Sequence, residues 1–375
     1  MIEAIKTSFL DDHKKRGFTV YDSFPLVIDD PTILFTNATV TPFKPMFTGT
    51  APRHNFALVQ RCLRLGGSSG SLDDLRTKLQ LTSLFDMLGS GLFGINHEVA
   101  VAYFIEVLEV LGLSREHLVF SAPSNHGFKS ALLAAGIAEK QIFMFDDEES
   151  LKHEWSFGEG DLHGIGVVAR FVPAQFRGVK FQSVLEELDS YVQLGRIVHI
   201  DGVSRGSDVE YNGFGAYDLG IGLGRVEIAL SGDCSQTAGP WRECTKHLQA
   251  KIPHLSTGDA HYMANLFQVI EALLGEGLLP GKKKHASALR KVLRKLIEEI
   301  WIQAGGLVDV IEHLLASITD SKCPKKMKSV IRQEEDALRR ILARAEKIQQ
   351  KHPEMTPDDL RSTFGIRPQL INLNK

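Results

Sequence analysis

Cysteine is scarce in this chain and its placement is unsuited to cross-linking or metal binding. Cys62, Cys234, Cys244 and Cys323 are the 4 cysteines among 375 residues, and they form no Cys-x-x-Cys pair or histidine-bearing cluster of zinc-site spacing. Reduced thiols are therefore expected, without a disulfide framework or a structural metal. Long apolar runs are lacking too. The opening MIEAIKTSFLDDHKKRG interrupts its apolar positions with charge, and no later stretch reaches the length of a bilayer span. A cytoplasmic location and no membrane partner follow as expectations. Charge of one sign is not in excess: the formal net charge of -3 argues neither for nor against nucleic acid, because a local basic face can coexist with a near-neutral total. The G-x-x-x-x-G-K-[ST], G-x-S-x-G and H-E-x-x-H patterns are absent, which removes several common hydrolase classes. No internal repeat and no low-complexity tract is present.

What remains is an ordinary globular composition, 43% hydrophobic and 24% charged, in a chain long enough for two domains. Up to about residue 235, short β-like runs alternate with amphipathic helical ones. The runs include Thr19 to Tyr21, Ile33 to Phe35, Val119 to Ser121, Gly166 to Phe171 and Ile197 to Asp201, with Gly, Pro, Asn and Asp clusters between them. This predicts an α+β domain over residues 1–236. Beyond Gly239-Pro240 helical periodicity takes over: Met263, Leu266, Ile270 and Leu273 recur on one face, and Gly275 and Gly277 supply a stop. Residues 237–375 are expected to form an all-helical domain.

In that second domain Leu289, Val292, Leu293, Leu296, Ile297 and Ile300 make one apolar stripe. Arg290, Lys291, Arg294 and Lys295 fall on the other side, after the run Lys282, Lys283 and Lys284. Such a cationic back is either a solvated face or a surface for nucleic-acid phosphates. In the first domain QRCLRLGG sets Arg61 and Arg64 beside a glycine pair. That is a hairpin turn with a surface arginine, or a guanidinium able to approach an anion closely. TSLFDMLGSGLFG carries Phe85 and Phe93, either core aromatics or a ring that stacks on a base. In AYDLGIGLGRVEIAL, Gly220, Gly222 and Gly224 alternate and Arg225 follows. The spacing is not G-x-G-x-x-G, so a dinucleotide fingerprint is poorly supported. A bare backbone face with Asp218 and Arg225 beside it suits a nucleotide and a small zwitterion lying against a sheet.

Taken in order, these blocks resemble the signature motifs of the class II aminoacyl-tRNA synthetases, and specifically the alanyl-tRNA synthetase family. ILFTNATVTPFKPMFTG is similar to motif 1, QRCLRLGG with LFDMLGSGLFG to motif 2, and YDLGIGLGR to motif 3. HEWSFGEG, LLPGKKKHASALRKVLRKL and LRSTFGIRPQL resemble further blocks of that family, so the likeness runs along nearly the whole chain. It implies a mainly antiparallel sheet flanked by helices, followed by a helical domain of the kind that handles the tRNA acceptor stem. The family's editing and C-terminal domains have no counterpart here, so a paralogue reduced to those two domains is expected.

The resemblance also implies roles, with ATP and Mg²⁺ as cofactors. Arg64 would grip the α-phosphate and the amino-acid carboxylate, Phe85 would stack on adenine, and Arg225 would hold the γ-phosphate with Gly222 beside the nucleotide. Trp155, Val40, Asp201, Asp218 and Gly220 would line the amino-acid site, Asp218 pairing with the ammonium group. Arg64 and Arg225 are the expected catalytic pair, because fixed guanidinium groups offset the repulsion between two anionic reactants. Lys282, Lys283, Lys284, Arg290 and Arg294 are the possible nucleic-acid contacts. The sequence also departs from the family. The motif 2 loop has Ser68 and Ser71 in place of a lysine and an aspartate; Val40 stands at the pocket methionine of motif 1, and Asp201 at an asparagine position of the amino-acid site. The residues that read the acceptor stem correspond to the Lys282–Lys284 run and to Ser362. The expected activity is activation of alanine or a similar small amino acid, with transfer to a small metabolite. The alternatives are a truncated ligase that charges tRNA and an inactive paralogue with a binding or regulatory role.

Overall fold

The alternating runs become strands and the 3.6-period runs become helices in a computed structural model. It describes every residue except 31, 67–71, 147–153, 157–159, 206–207, 233–240, 320–323, 366, 368 and 371–375. The chain divides into two units, Met1–Arg64 with Phe85–Gly239 and Leu65–Leu84 with Pro240–Lys375. Residues 65–84, expected within the first domain, group with the helices of the second.

In the first unit the strands are β1 (Thr19–Tyr21), β2 (Phe56–Leu63), β3 (Leu84–Phe93), β4 (Leu118–Pro123), β5 (Ile142–Phe145), β6 (Glu154–Ser156), β7 (Leu162–Phe171), β8 (Val192–Arg205) and β9 (Asp208–Gly222). They form one sheet in the order β1-β2-β3-β9-β8-β7-β4-β5, with β6 paired to β7. The β3/β9, β8/β9, β7/β8, β4/β7 and β6/β7 pairs are antiparallel; β1/β2 and β4/β5 are parallel. The helices are α1 (Ile2–Lys15), α2 (Lys44–Phe47), α3 (His97–Val110), α4 (Phe128–Ala134), α5 (Val184–Ser190) and α6 (Leu223–Ser231). This is the expected α+β architecture, a mainly antiparallel sheet flanked by helices.

Both faces of the central strands carry apolar clusters. On one face Leu88, Leu92, Ile165, Val167, Tyr217, Leu219 and Ile221 pack with Phe9 of α1, Phe104 and Leu108 of α3, Leu132 of α4 and Val226 of α6. On the other, Phe56, Leu58, Met87, Val198, Ile200 and Ala216 meet Val40, Phe43, Met46 and Phe47. Ile33 to Phe35 does not form the expected strand; Phe35 makes only an isolated bridge to Val27. The Asp30 carboxylate instead accepts from the N–H groups of Thr32 and Ile33, at 2.8 and 3.2 Å, and holds the segment as a turn. Lys44 joins Asp30 to Asp161 across the same region, anchoring the turn to the start of β7.

The second unit contains α7 (Trp241–Lys251), α8 (Thr257–Gly275), α9 (Lys284–Ala304), α10 (Val310–Thr319), α11 (Pro324–Lys351) and α12 (Pro357–Phe364). The two predicted stripes form its core: Met263, Leu266, Ile270 and Leu273 of α8 and Leu289, Val292, Leu293, Leu296, Ile297 and Ile300 of α9 are all buried. Residues 72–84 are tied to α8 along one helix face. The Arg76 guanidinium lies 4.0 Å from the Tyr262 ring centroid and pairs with Asp259 and Glu299. The Asn265 amide oxygen accepts from the Ser83 N–H at 3.0 Å, and His261 Nε2 lies 2.8 Å from the Leu81 carbonyl. Arg367 adds pairs to Glu298 and Glu299, and burial still pushes the Glu298 carboxyl up to about 7.

Gly258 permits this close approach, because a Cβ there would lie 2.0 Å from the Arg76 carbonyl oxygen. Gly258→Ala is expected to destabilise the protein by about 1–3 kcal/mol through overpacking against backbone. Urea denaturation measures it; an unchanged midpoint would show that the 72–84 segment is not held in this way.

Candidate functional site

Strand alternation sets the composition of the site. Ala216, Asp218, Gly220 and Gly222 share one face of β9, and Phe85, Met87, Gly89 and Gly91 share the matching face of β3. The register places Gly91 opposite Asp218, Gly89 opposite Gly220 and Met87 opposite Gly222. From the other side of β9, Val198 lies opposite Asp218 and Arg196 opposite Gly220. Arg64 follows β2 directly, with its Nε donating to the Asn37 carbonyl at 3.1 Å and its guanidinium 5.1 Å from the Phe85 ring centroid. Arg225 stands in the first turn of α6, just after Gly222, and donates to the Gln193 carbonyl at 2.9 Å. Arg170 of β7 donates to Ser121 Oγ at 2.7 Å.

Electrostatics define the site as strongly cationic. Arg64, Arg170, Arg196 and Arg225 all keep intermediate solvent exposure. Burial nevertheless lowers the pKa of each, to about 10 for Arg196 and Arg225, where the neighbouring guanidiniums add to the effect. Groups deep in the protein but open on one side have this combination. Facing them is Asp218, 4% exposed, whose pKa burial raises to about 7. Thr39 Oγ1, 3.5 Å away, and the charges of Arg196 and Arg64 limit that rise. Cys62 shares this face of β2 and is kept a neutral thiol, its pKa pushed up to about 12 by burial.

The floor beside Asp218 is backbone. A Cβ at Gly220 would come 3.0 Å from Met87 Sδ, so the glycine lets the flexible Met87 side chain rest against bare strand backbone beside Asp218. Val40 is fully buried in the apolar cluster with Met87, Val198 and Ile200, at the edge of the same face. Arg64, Phe85, Asp218, Gly220, Gly222, Arg225 and Val40 are thus brought to one side of the sheet.

Other expected residues are placed differently. Trp155 sits on β6 opposite Gly164 of β7; its side chain lies outside the described residues, as do Ser68 and Ser71. Asp201 occupies a bulge between Ile200 and Gly202. Its carboxylate lies 3.8 Å from His163 Nδ1 and 3.9 Å from His199 Nδ1, and His199 packs on Tyr217 and His97. These rings belong to the α3-bearing face, and strand alternation from His199 puts Asp201 there as well, away from Asp218. In the second unit Lys282, Lys283 and Lys284 are exposed, whereas Arg290 and Arg294 bind the buried Glu334 of α11, at 2.9 and 3.4 Å. These two arginines take part in helix packing and keep intermediate exposure. Arg196, Arg170 and Thr39 were not anticipated. For Arg196 the sequence did hold a signal, a charged residue within the apolar strand pattern LGRIVHI.

Residues 4–165 match the model of the family "tRNA synthetases class II (A)". With the sheet described above, this defines the first unit as a class II synthetase-type catalytic domain. Within that class the chain is similar to alanine–tRNA ligases. The enzyme of Campylobacter jejuni (strain RM1221) is 28% identical over 335 residues, covering 85% of this chain and 38% of the relative. That of Wolinella succinogenes is 28% identical over 84% of this chain and 38% of its own length. The alanine–tRNA ligase of C. jejuni subsp. doylei is 35% identical over a shorter stretch, 41% of this chain and 19% of the relative. The chain therefore spans well under half the length of these curated relatives. Among solved structures, Staphylococcus aureus histidyl-tRNA synthetase is similar with a TM-score of 0.36 at 11% identity, over 66% of this chain and 75% of that one. Entamoeba histolytica asparaginyl-tRNA synthetase gives 0.35 at 10% identity, over 63% and 64%.

The Asp218 carboxyl generates a pH prediction. Its folded-state pKa of about 7 exceeds the ordinary aspartate value of 3.8, so the folded protein binds the extra proton between them. Stability from this group is full below the lower value and is lost as pH rises through the upper one. Asp218→Asn is expected to gain stability relative to the parent as pH rises across that window, by denaturant titration at several pH values. A constant difference would show that Asp218 is ionised throughout.

Proposed function

We propose that this protein activates alanine or a similar small amino acid with ATP, forming an aminoacyl adenylate, and passes the acyl group to an acceptor other than tRNA, a small metabolite. The observation that carries the first half is the meeting of Asp218, Arg64, Arg225 and the backbone floor at Gly220 on one face of the sheet. Asp218 is a buried carboxyl on the same face as the guanidinium groups, suited to an α-ammonium group. A bound cation returns it to the carboxylate form, because the opposite charge favours ionisation. Arg64 stands between the positions for the two anions, able to touch the amino-acid carboxylate and the α-phosphate together. Phe85 offers its ring to adenine, with Arg64 alongside, and Arg225 holds the far end of the triphosphate. Val40 and Trp155 fit as walls of a small side-chain pocket.

In the reaction a carboxylate oxygen of the amino acid bonds to the α-phosphorus while that phosphorus releases its bridging oxygen to pyrophosphate. The electron pair leaves with pyrophosphate and no proton moves. The chain's contribution is to hold two mutually repelling groups in line and to neutralise the charge on the leaving oxygens. Among the described residues no group of three His, Cys, Asp or Glu is set to hold a metal ion. Mg²⁺ bound with the nucleotide would supply further charge neutralisation.

The engagement of Arg290 and Arg294 with Glu334 favours the metabolite acceptor, since it withdraws two cations from the face that tRNA phosphates would need. The exposed Lys282–Lys284 run supports the second reading, a ligase that charges tRNA. Amino-acid-dependent ATP–pyrophosphate exchange tests the adenylate step: exchange with alanine or glycine is expected, and Asp218→Ala should reduce it at least about 100-fold, a loss of roughly 3 kcal/mol. Exchange with no small amino acid would leave the inactive-paralogue reading in place. Efficient formation of alkali-labile aminoacyl ester on bulk tRNA would overturn the choice of acceptor.

A further inference from the structure

Arg196 is the one member of the arginine group that makes no hydrogen bond or ion pair among the described residues. Arg64 donates to Asn37, Arg170 to Ser121 and Arg225 to Gln193, so each of those is oriented by the fold. Arg196 projects from the middle of β8, directly across from Gly220, with the positive charges of Arg64 and Arg170 acting on it and only Asp218 opposing them. A guanidinium has five N–H donors in a fixed fork. Held among like charges in a place open to water on one side only, they meet no protein acceptor in the free protein, which is costly. A strand interior would hold an apolar residue there more cheaply, so the observation points to a ligand that supplies acceptors.

We propose that Arg196 is a catalytic residue that binds a polyphosphate, taking the pyrophosphate end of the nucleotide jointly with Arg225 and meeting the charge that develops on it as it leaves. The inference rests on the adenylate reading for its chemistry and on the arginine group alone for its ligand class. Three guanidiniums already directed by carbonyl or hydroxyl acceptors form a fixed cradle. The fourth, free to turn, completes it when phosphate oxygens arrive. Bidentate geometry on non-bridging oxygens is the contact an arginine fork makes best and a lysine cannot reproduce. Because the new charge gathers on the leaving group, a cation there contributes more in the transition state than in the ground state and acts on kcat.

The test uses the full chain and inorganic tripolyphosphate as probe. In calorimetric titration Arg196→Gln should bind tripolyphosphate at least tenfold more weakly than the parent, with Arg196→Lys recovering only part of the loss. The free Arg196→Gln protein should melt at the same temperature as the parent or higher, since an unmet buried charge has been removed. In exchange assays kcat should fall about 100-fold with a smaller change in KM for the amino acid. Unchanged tripolyphosphate affinity in Arg196→Gln, or a parent protein that binds no tripolyphosphate, would overturn the assignment. So would a marked drop in the melting temperature of the free variant, the mark of a structural arginine. If the parent shows no exchange with any amino acid yet loses tripolyphosphate binding on Arg196→Gln, the polyphosphate site stands and the adenylate reading fails.

Discussion

Four guanidinium groups crowded on one face of a sheet, answered by a single buried carboxyl, are the constraint around which the first unit is built. Like charges in a partly desolvated place repel and raise the free energy of the folded state. The depressed pKa of Arg196 and Arg225 and the raised pKa of Asp218 record that cost from its two sides. The rest of the fold has to hold it. Nine strands in one sheet, covered by helices on one side and by the Val40–Phe47 segment on the other, supply the apolar burial that offsets it.

The backbone around those charges is correspondingly rigid. β3, β9, β8 and β7 run as neighbours in antiparallel register, so Arg196, Asp218 and Gly220 project from adjacent strands at spacings fixed by the ladder. Arg64 and Arg225 leave the ends of such strands and are aimed by single carbonyls, those of Asn37 and Gln193. A site assembled this way is preorganised, which is what a reaction between two anions requires: the stabilising dipoles and charges are in place before the reactants arrive. The second unit follows different rules. Its buried acids, Glu298, Glu299 and Glu334, are each matched to arginines, so charge there serves cohesion.

Much of this was legible from the amino acids. The apolar stripes of α8 and α9 are buried as their 3.6-residue period indicates, and the strand runs at Thr19, Val119, Gly166 and Ile197 become β1, β4, β7 and β8. Ile33 to Phe35 misled because an apolar run carries no sign of where its N–H groups go, and Asp30 took two of them. The partner of Arg290 and Arg294 was hidden for a similar reason. Helical periodicity places them away from the local apolar stripe, yet it cannot register a buried glutamate on a helix some forty residues later.

The sequence by itself determined which residues share a face, because side-chain direction repeats every two residues in a strand and every 3.6 in a helix. It thereby put Asp218 with Gly220 and Gly222, and Phe85 with Met87. Only the tertiary structure decided which faces meet. Strand pairing brought His163 of β7 beside Asp201 of β8 and set Arg196 beside Gly220. Register and bulges are settled by hydrogen bonding between segments remote in the chain, and the energy of a charge depends on everything buried around it. Neither is a property of any local stretch of residues.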